Sequence, residues 1–298
     1  MFLKNTKRAF TMLELIFVIV IMGIIGKFGV EFVARAYESF IYSKINNDLQ
    51  AKSASAVEFI AKRLEHRIKA STIARNTTTA TYNSVNDVGL SDPDATVLEW
   101  IATDIDSFRG TTQPSWSAVI DLTATTSNII VSTATEFNTT NAQISILSYT
   151  PTVGINDSAV YFIGSNITAN PWGYNGAILD QNQTLHPIQL GANIDEIRPR
   201  FANFAGDIYE YYKLAWTAYA IELGDYDDVL KIGNLYLYYN YRPWNGETYL
   251  ANGTKVLLAE GINTFRYRSA GSLIKIQVCA KSDLTGEEHA LCKEKTVY

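Results

Sequence analysis

Few residues in this sequence have the types and spacing that chemistry needs. His66, His186 and His289 lie far apart with no metal-ligand spacing among them. Neither a Gly-Lys-Ser/Thr phosphate loop nor a Gly-x-Ser-x-Gly elbow occurs. Asp225, Asp227 and Asp228, in Gly-Asp-Tyr-Asp-Asp, offer hard oxygen ligands that suit either Ca²⁺ or a solvated turn. Cys279 and Cys292, the only two cysteines, have twelve residues between them, and in an exported chain they read as one local disulfide, with two separate buried thiols as the alternative. What remains is Glu14, a lone carboxylate inside an apolar run. The expectation is a chain without a catalytic set and without a cofactor.

The element that must position Glu14 is the run itself. Residues 10 to 26 hold sixteen uncharged residues and Glu14, and Phe28 and Val30 extend the run. That is just enough for the roughly 20 residues a helix needs to cross a bilayer. Lys4, Lys7 and Arg8 precede it without an acidic neighbour, which predicts a cytoplasmic N-terminus and export of everything that follows. A cleaved signal peptide would use Ala34-Arg35-Ala36, a site beyond the charges of Lys27 and Glu31. A plain signal anchor gives no reason to keep a carboxylate that costs about 2.5 to 3.5 kcal/mol at mid-membrane.

The third reading is a resemblance. Ala9-Phe10-Thr11-Met12-Leu13-Glu14 resembles the processing site of type IV prepilins, with leader, Phe, Thr, Glu and apolar run in register. The resemblance implies cleavage between Ala9 and Phe10 by a prepilin peptidase and N-methylation of Phe10. It also implies pairing of Glu14 with the terminal ammonium of a neighbouring subunit, since a buried carboxylate is tolerable beside a cation. Loss of the three leader cations would take the net charge from −5 to −5 − 3 = −8. Two positions depart from the family pattern: Ala9 stands where Gly is commoner, and the membrane segment lacks the proline of major pilins. Gly23, Gly26 and Gly29 are its weak points.

Beyond the membrane run, Ala36, Phe40, Ile41, Ile45, Leu49, Val57, Ile60, Leu64 and Ile68 form one helical stripe, predicting a helix from Phe10 to about Ala70. The spacing suits a sheet partner better than a coiled-coil heptad. Strand character follows at 97–102, 118–122, 129–132, 144–149 and 159–164. The Thr/Asn-rich interval 123–141 is assigned to the surface by composition. Asn138 and Asn182 each sit in an acidic-extended sequon that chance also explains. Four antiparallel strands are expected at 209–223, 230–242, 255–268 and 273–281, turning at Gly224-Asp225, Asn245-Gly246, Asn252-Gly253 and Ala270-Gly271.

The order of Arg242-Pro243-Trp244, the 256–262 strand and Phe265-Arg266-Tyr267 resembles minor pseudopilins of the J class of type II secretion and W-type minor pilins. Some pseudopilins bind Ca²⁺, and pilins often tie down their C-terminal region with a disulfide.

Apolar residues make up 47% and charged residues 18% of the 298, with 18 Tyr, 13 Phe and 5 Trp, a composition that favours a folded, sheet-rich body. A net charge of −5 without a basic patch beyond the N-terminus argues against nucleic acid. Tyr and Trp could also line a glycan-binding surface, though sheet packing accounts for most of them.

The fold expected is α+β and pilin-like: leader 1–9, membrane half-helix 10–30, extracytoplasmic half-helix 31–75 and a predominantly antiparallel β-rich head 76–298. The function expected is that of a minor subunit of a type IV pilus or secretion pseudopilus, an inner-membrane protein with a periplasmic or extracellular head. Its partners would be other pilin subunits, the prepilin peptidase and the assembly platform. A membrane-anchored adhesin or binding module is the alternative.

Overall fold

The computed structural model describes residues 11–76, 81–87, 96–110, 114–165, 172–179, 184–201, 203–204, 207–282 and 289–298. The chain divides into two units, Met1–Leu49 and Gln50–Tyr298.

In the N-terminal unit the helix α1 (Met12–Leu64) begins. Every residue from Thr11 to Phe40 is exposed, Gly23, Gly26 and Gly29 included, and the helix runs unbroken through the three glycines. An α-helix that is apolar around its whole circumference suits hydrocarbon rather than water. Among the described residues this is the one helix long and apolar enough to cross a membrane.

In the second unit the end of α1 becomes amphipathic. Ser53, Ala56, Val57, Ile60, Ala61 and Leu64 are buried at spacings of three and four, while Glu58, Lys62 and Arg63 remain exposed. The helix stops at Leu64, short of the Ala70 expected. Arg67 donates from Nη1 to the Leu64 carbonyl at 2.8 Å, from Nη2 to Ser272 O at 2.7 Å and from Nη1 to Tyr298 O at 3.5 Å. A buried guanidinium at a helix C-terminus satisfies carbonyls the helix cannot. The next residue, Ile68, already bonds to Ile101 in the sheet.

The head holds two antiparallel sheets. The larger contains β1 (Ile73–Arg75), β2 (Tyr82–Ser84), β3 (Val97–Ile101), β9 (Ala218–Asp227), β10 (Ile232–Tyr241), β11 (Thr254–Ala270), β12 (Leu273–Ser282) and β13 (His289–Val297). Its order is β13-β12-β11-β10-β9-β3-β1-β2. The smaller contains β4 (Ile130–Val131), β5 (Ala159–Phe162), β6 (Leu185–Leu190), β7 (Glu196–Pro199) and β8 (Tyr212–Ala215), in the order β4-β7-β6-β5-β8. Three short or medium helices complete it: α2 (Asp106–Arg109), α3 (Phe137–Leu147) and α4 (Tyr249–Asn252). The long N-terminal helix and antiparallel head agree with the expected α+β class.

β3 is buried along its whole length, which requires cover on both faces of the sheet. One face gathers Val97, Ile101, Ala218, Ala220, Tyr238 and Tyr241 into a core with Trp172, Trp244 and Tyr249. On the other face Arg63 of α1 donates to the Tyr219 hydroxyl at 3.1 Å, and Lys295 of β13 pairs with Glu58.

Several local expectations change. The stretch 144–149 lies in α3 and the turn after it. Phe137, Thr140 and Ile144 recur at helical spacing into the second core, whereas Ile146 is 73% exposed, so the Ile144/Ile146 alternation mimicked a strand. The 123–141 interval is only partly surface, since Ile130, Ser132, Phe137 and Thr140 are fully buried. The expected strand 209–223 is two strands in two sheets, β8 and β9, separated by Trp216 and Thr217. Gly224-Asp225 lies within β9, and the reversal comes at Asp228–Lys231, while Asn245-Gly246 and Asn252-Gly253 belong to one connection built from a 3-10 turn and α4. The imperfect alternation of 235–241 comes from a bulge: Asn240 has φ +62°, so Tyr238 and Tyr241 enter the same core.

Candidate functional site

Ala9 and Phe10 lie outside the described residues, as does Asn182. Glu14 is in the first turn of α1, and its backbone N–H donates to Thr11 Oγ1 at 3.4 Å. Thr11 thus occupies the N-cap and Glu14 the third helical position, the spacing of a capping box. A carboxylate there also faces the positive end of the helix dipole. Its position in the helix therefore gives the Glu14 carboxylate a favourable local setting.

The aspartates do not converge. Asp225 accepts from the Tyr236 hydroxyl, Asp227 Oδ1 accepts the N–H groups of Val229 (2.7 Å) and Leu230 (3.0 Å), and Asp228 stands 3.9 Å from Lys231 Nζ. Asp227 is a turn cap, and its hydrogen bonds hold its carboxyl below the usual carboxylate range. Among the described residues no group of three His, Cys, Asp or Glu side chains could hold a metal. His186 is buried against the rings of Phe162 and Phe204, while His66 lies in the turn after α1 and His289 begins β13. Asn138 is exposed in the first turn of α3, and the hydroxyl of its sequon residue Thr140 is turned onto Glu136 O.

Cys279 and Cys292 form a disulfide between directly opposed positions of β12 and β13, with Cα atoms 3.9 Å apart. The bond pins the edge strand of the larger sheet. β13 lies beyond the four strands expected, and its Lys293-Glu294-Lys295 run lacks a strand's apolar alternation. Charged edge strands of this kind resist pairing with other chains.

Two clusters have no signature in the sequence. The first is centred on Glu99, which is 1% exposed in the middle of β3. Its Oε2 receives Arg75 Nε and Nη2, both at 2.8 Å, and its Oε1 receives the Tyr241 hydroxyl at 2.9 Å. Burial pushes the Glu99 carboxyl up, with Arg75 and Tyr241 opposing the shift. The Tyr174 hydroxyl donates to Ser71 O at 2.9 Å, and the Arg75 guanidinium stacks 5.3 Å from the Tyr82 ring. Every polar atom of the carboxylate is engaged, so this cluster holds the sheet together and offers no open position.

The second is a cavity of about 300 Å³ beside the last turns of α1. Its lining includes Phe59, Arg63 and His66 from the end of α1 and the turn after it, Asp104, Asp106 and Arg109 from the segment around α2, and Trp216 and Tyr219. Asp104 accepts Ser107 N–H (3.2 Å) and the Trp116 indole N–H (3.1 Å); burial pushes its carboxyl up. Of these residues the sequence singles out only His66, since the lining comes from segments far apart in the chain.

Comparison with known proteins finds no match. No family model, no curated protein and no solved structure resembles the chain closely enough to be matched.

Proposed function

We propose that the chain is a minor subunit of a type IV pilus or a type II secretion pseudopilus. It is anchored in the inner membrane by α1, cleaved before Phe10, N-methylated there, and assembled with other pilin-like subunits. The observation that carries this reading is an apolar helix, exposed around its circumference from Thr11 to Phe40, that starts with Thr11 and Glu14 directly after the prepilin-like site. Such a helix is stabilised by lipid or by packing against like helices. The role is assembly, with no covalent chemistry of its own.

Glu14 serves two ends in this account, occupying the capping-box position of its own helix and pairing with the ammonium of a neighbour's Phe10. Glu14→Gln separates them, because Gln is equally accepted in a capping box but carries no charge. The variant is expected to insert in the membrane with an intact head and to fail to enter filaments, measured by shearing and fractionation. Incorporation equal to wild type would remove the charge-pairing role. An extracytoplasmic binding module is the second reading, favoured by the cavity beside α1.

A further inference from the structure

The cavity is built around a held guanidinium. Arg63 lies 5.6 Å from the Phe59 ring centroid and 5.4 Å from that of Tyr219, and its Nη1 donates to the Tyr219 hydroxyl at 3.1 Å. Two ring contacts and one hydrogen bond hold the group beside Tyr219 and leave most of its five donors unspent. Among the described residues Lys62, Arg63 and Arg109 have no carboxylate partner. Of the two carboxylates in the lining, Asp104 is already turned onto Ser107 and Trp116. Three cations against two carboxylates give the wall a net +1 before His66 is counted, on a chain whose net charge is −5. Thr103, another residue of the lining, keeps its hydroxyl buried without a partner.

We infer that this cavity binds a small organic oxyanion, with Arg63 gripping its carboxylate or phosphate and Phe59 and Trp216 packing its body. About 300 Å³ is the lower end of ligand-site volumes, which fits a molecule of monosaccharide or amino-acid size. A fork of guanidinium donors matches planar carboxylates and tetrahedral phosphates two bonds at a time. Lys62 and Arg109 add attraction without fixed geometry. The site lies wholly within the unit Gln50–Tyr298 and does not depend on whether the chain assembles into filaments.

The test is calorimetric titration of the full chain in detergent with glucuronate, glucose 6-phosphate and glucose. Either acid should bind at millimolar affinity or better while glucose does not, and which acid binds tells a carboxylate from a phosphate source. Arg63→Met should weaken binding at least about tenfold, and Arg63→Lys should recover only part, because a lysine cannot make the paired contact. Arg109→Ala, at an exposed position on a different element, should weaken binding even if Arg63 variants prove unstable. Failure of both acids to bind, equal binding of glucose, or unchanged affinity in the Arg63→Met and Arg109→Ala variants would overturn the inference.

Discussion

Removing the charge of Glu99 should destabilise the head more than removing the whole ion pair. The carboxylate takes two hydrogen bonds from Arg75 and one from Tyr241, with the Glu99 side chain 1% and the Arg75 side chain 13% exposed. Glu99→Gln leaves a guanidinium in that setting without a counter-charge, and breaking a buried pair in this way costs about 3–5 kcal/mol. Replacing both partners, Glu99→Leu with Arg75→Met, removes the stranded charge along with the pair and should cost clearly less. For a unit of this size each kcal/mol shifts the melting temperature by about 2–4 °C, so the single variant should melt roughly 6–20 °C below wild type. Thermal melts of the full chain in detergent, followed by near-ultraviolet circular dichroism, read the difference directly. A Glu99→Gln variant within about 1 kcal/mol of wild type, or a double variant that falls as far as the single one, would refute the reasoning.

Reducing the Cys279–Cys292 disulfide should cost about 3 kcal/mol in the chain-entropy model, and the loss should appear first as faster amide exchange in β13. Uniform acceleration across the head would contradict that localisation. Asp104 has a folded-state pKa raised above its ordinary 3.8 by burial. The native state therefore keeps a proton that the unfolded chain has released, and this group's contribution to stability falls as pH rises from the ordinary value through the raised one. The melting-temperature advantage of wild type over Asp104→Asn should shrink across that window and stay level above it; an advantage that grows with pH would invert the assignment. Asp227→Ala should loosen the reversal between β9 and β10, raising amide exchange at Val229 and Leu230, and unchanged exchange there would remove the capping role.

The parts of the fold legible in the sequence are those with a strong period. The apolar run of α1 and the stripe of Val57, Ile60 and Leu64 need only the 3.6-residue repeat, and β11 and β12 are flanked by the Ala270-Gly271 reversal, where Gly271 has φ +61°. The illegible parts are those in which tertiary contacts override local pattern. Arg67 ends α1 by reaching Ser272 and Tyr298, more than two hundred residues away, and no cap in the local sequence announces it. β13 is a strand because the disulfide and its ladder with β12 make it one. Glu99 reads as a surface residue in Val-Leu-Glu-Trp-Ile until Arg75 and Tyr241 come to it from two other strands. The oxyanion cavity is hidden for the same reason, since Arg63, Asp104 and Trp216 meet only after folding. Glu14 shows the opposite case: a residue read at a distance, as a partner for another subunit, also has a role in its own helix turn.

Assembly as a pilin-like subunit requires the mature chain to begin at Phe10, which is measured directly by N-terminal mass spectrometry of the protein purified from membranes. A chain starting at N-methylated Phe10 is the predicted result. An intact Met1, or a chain beginning after Ala36, would contradict it.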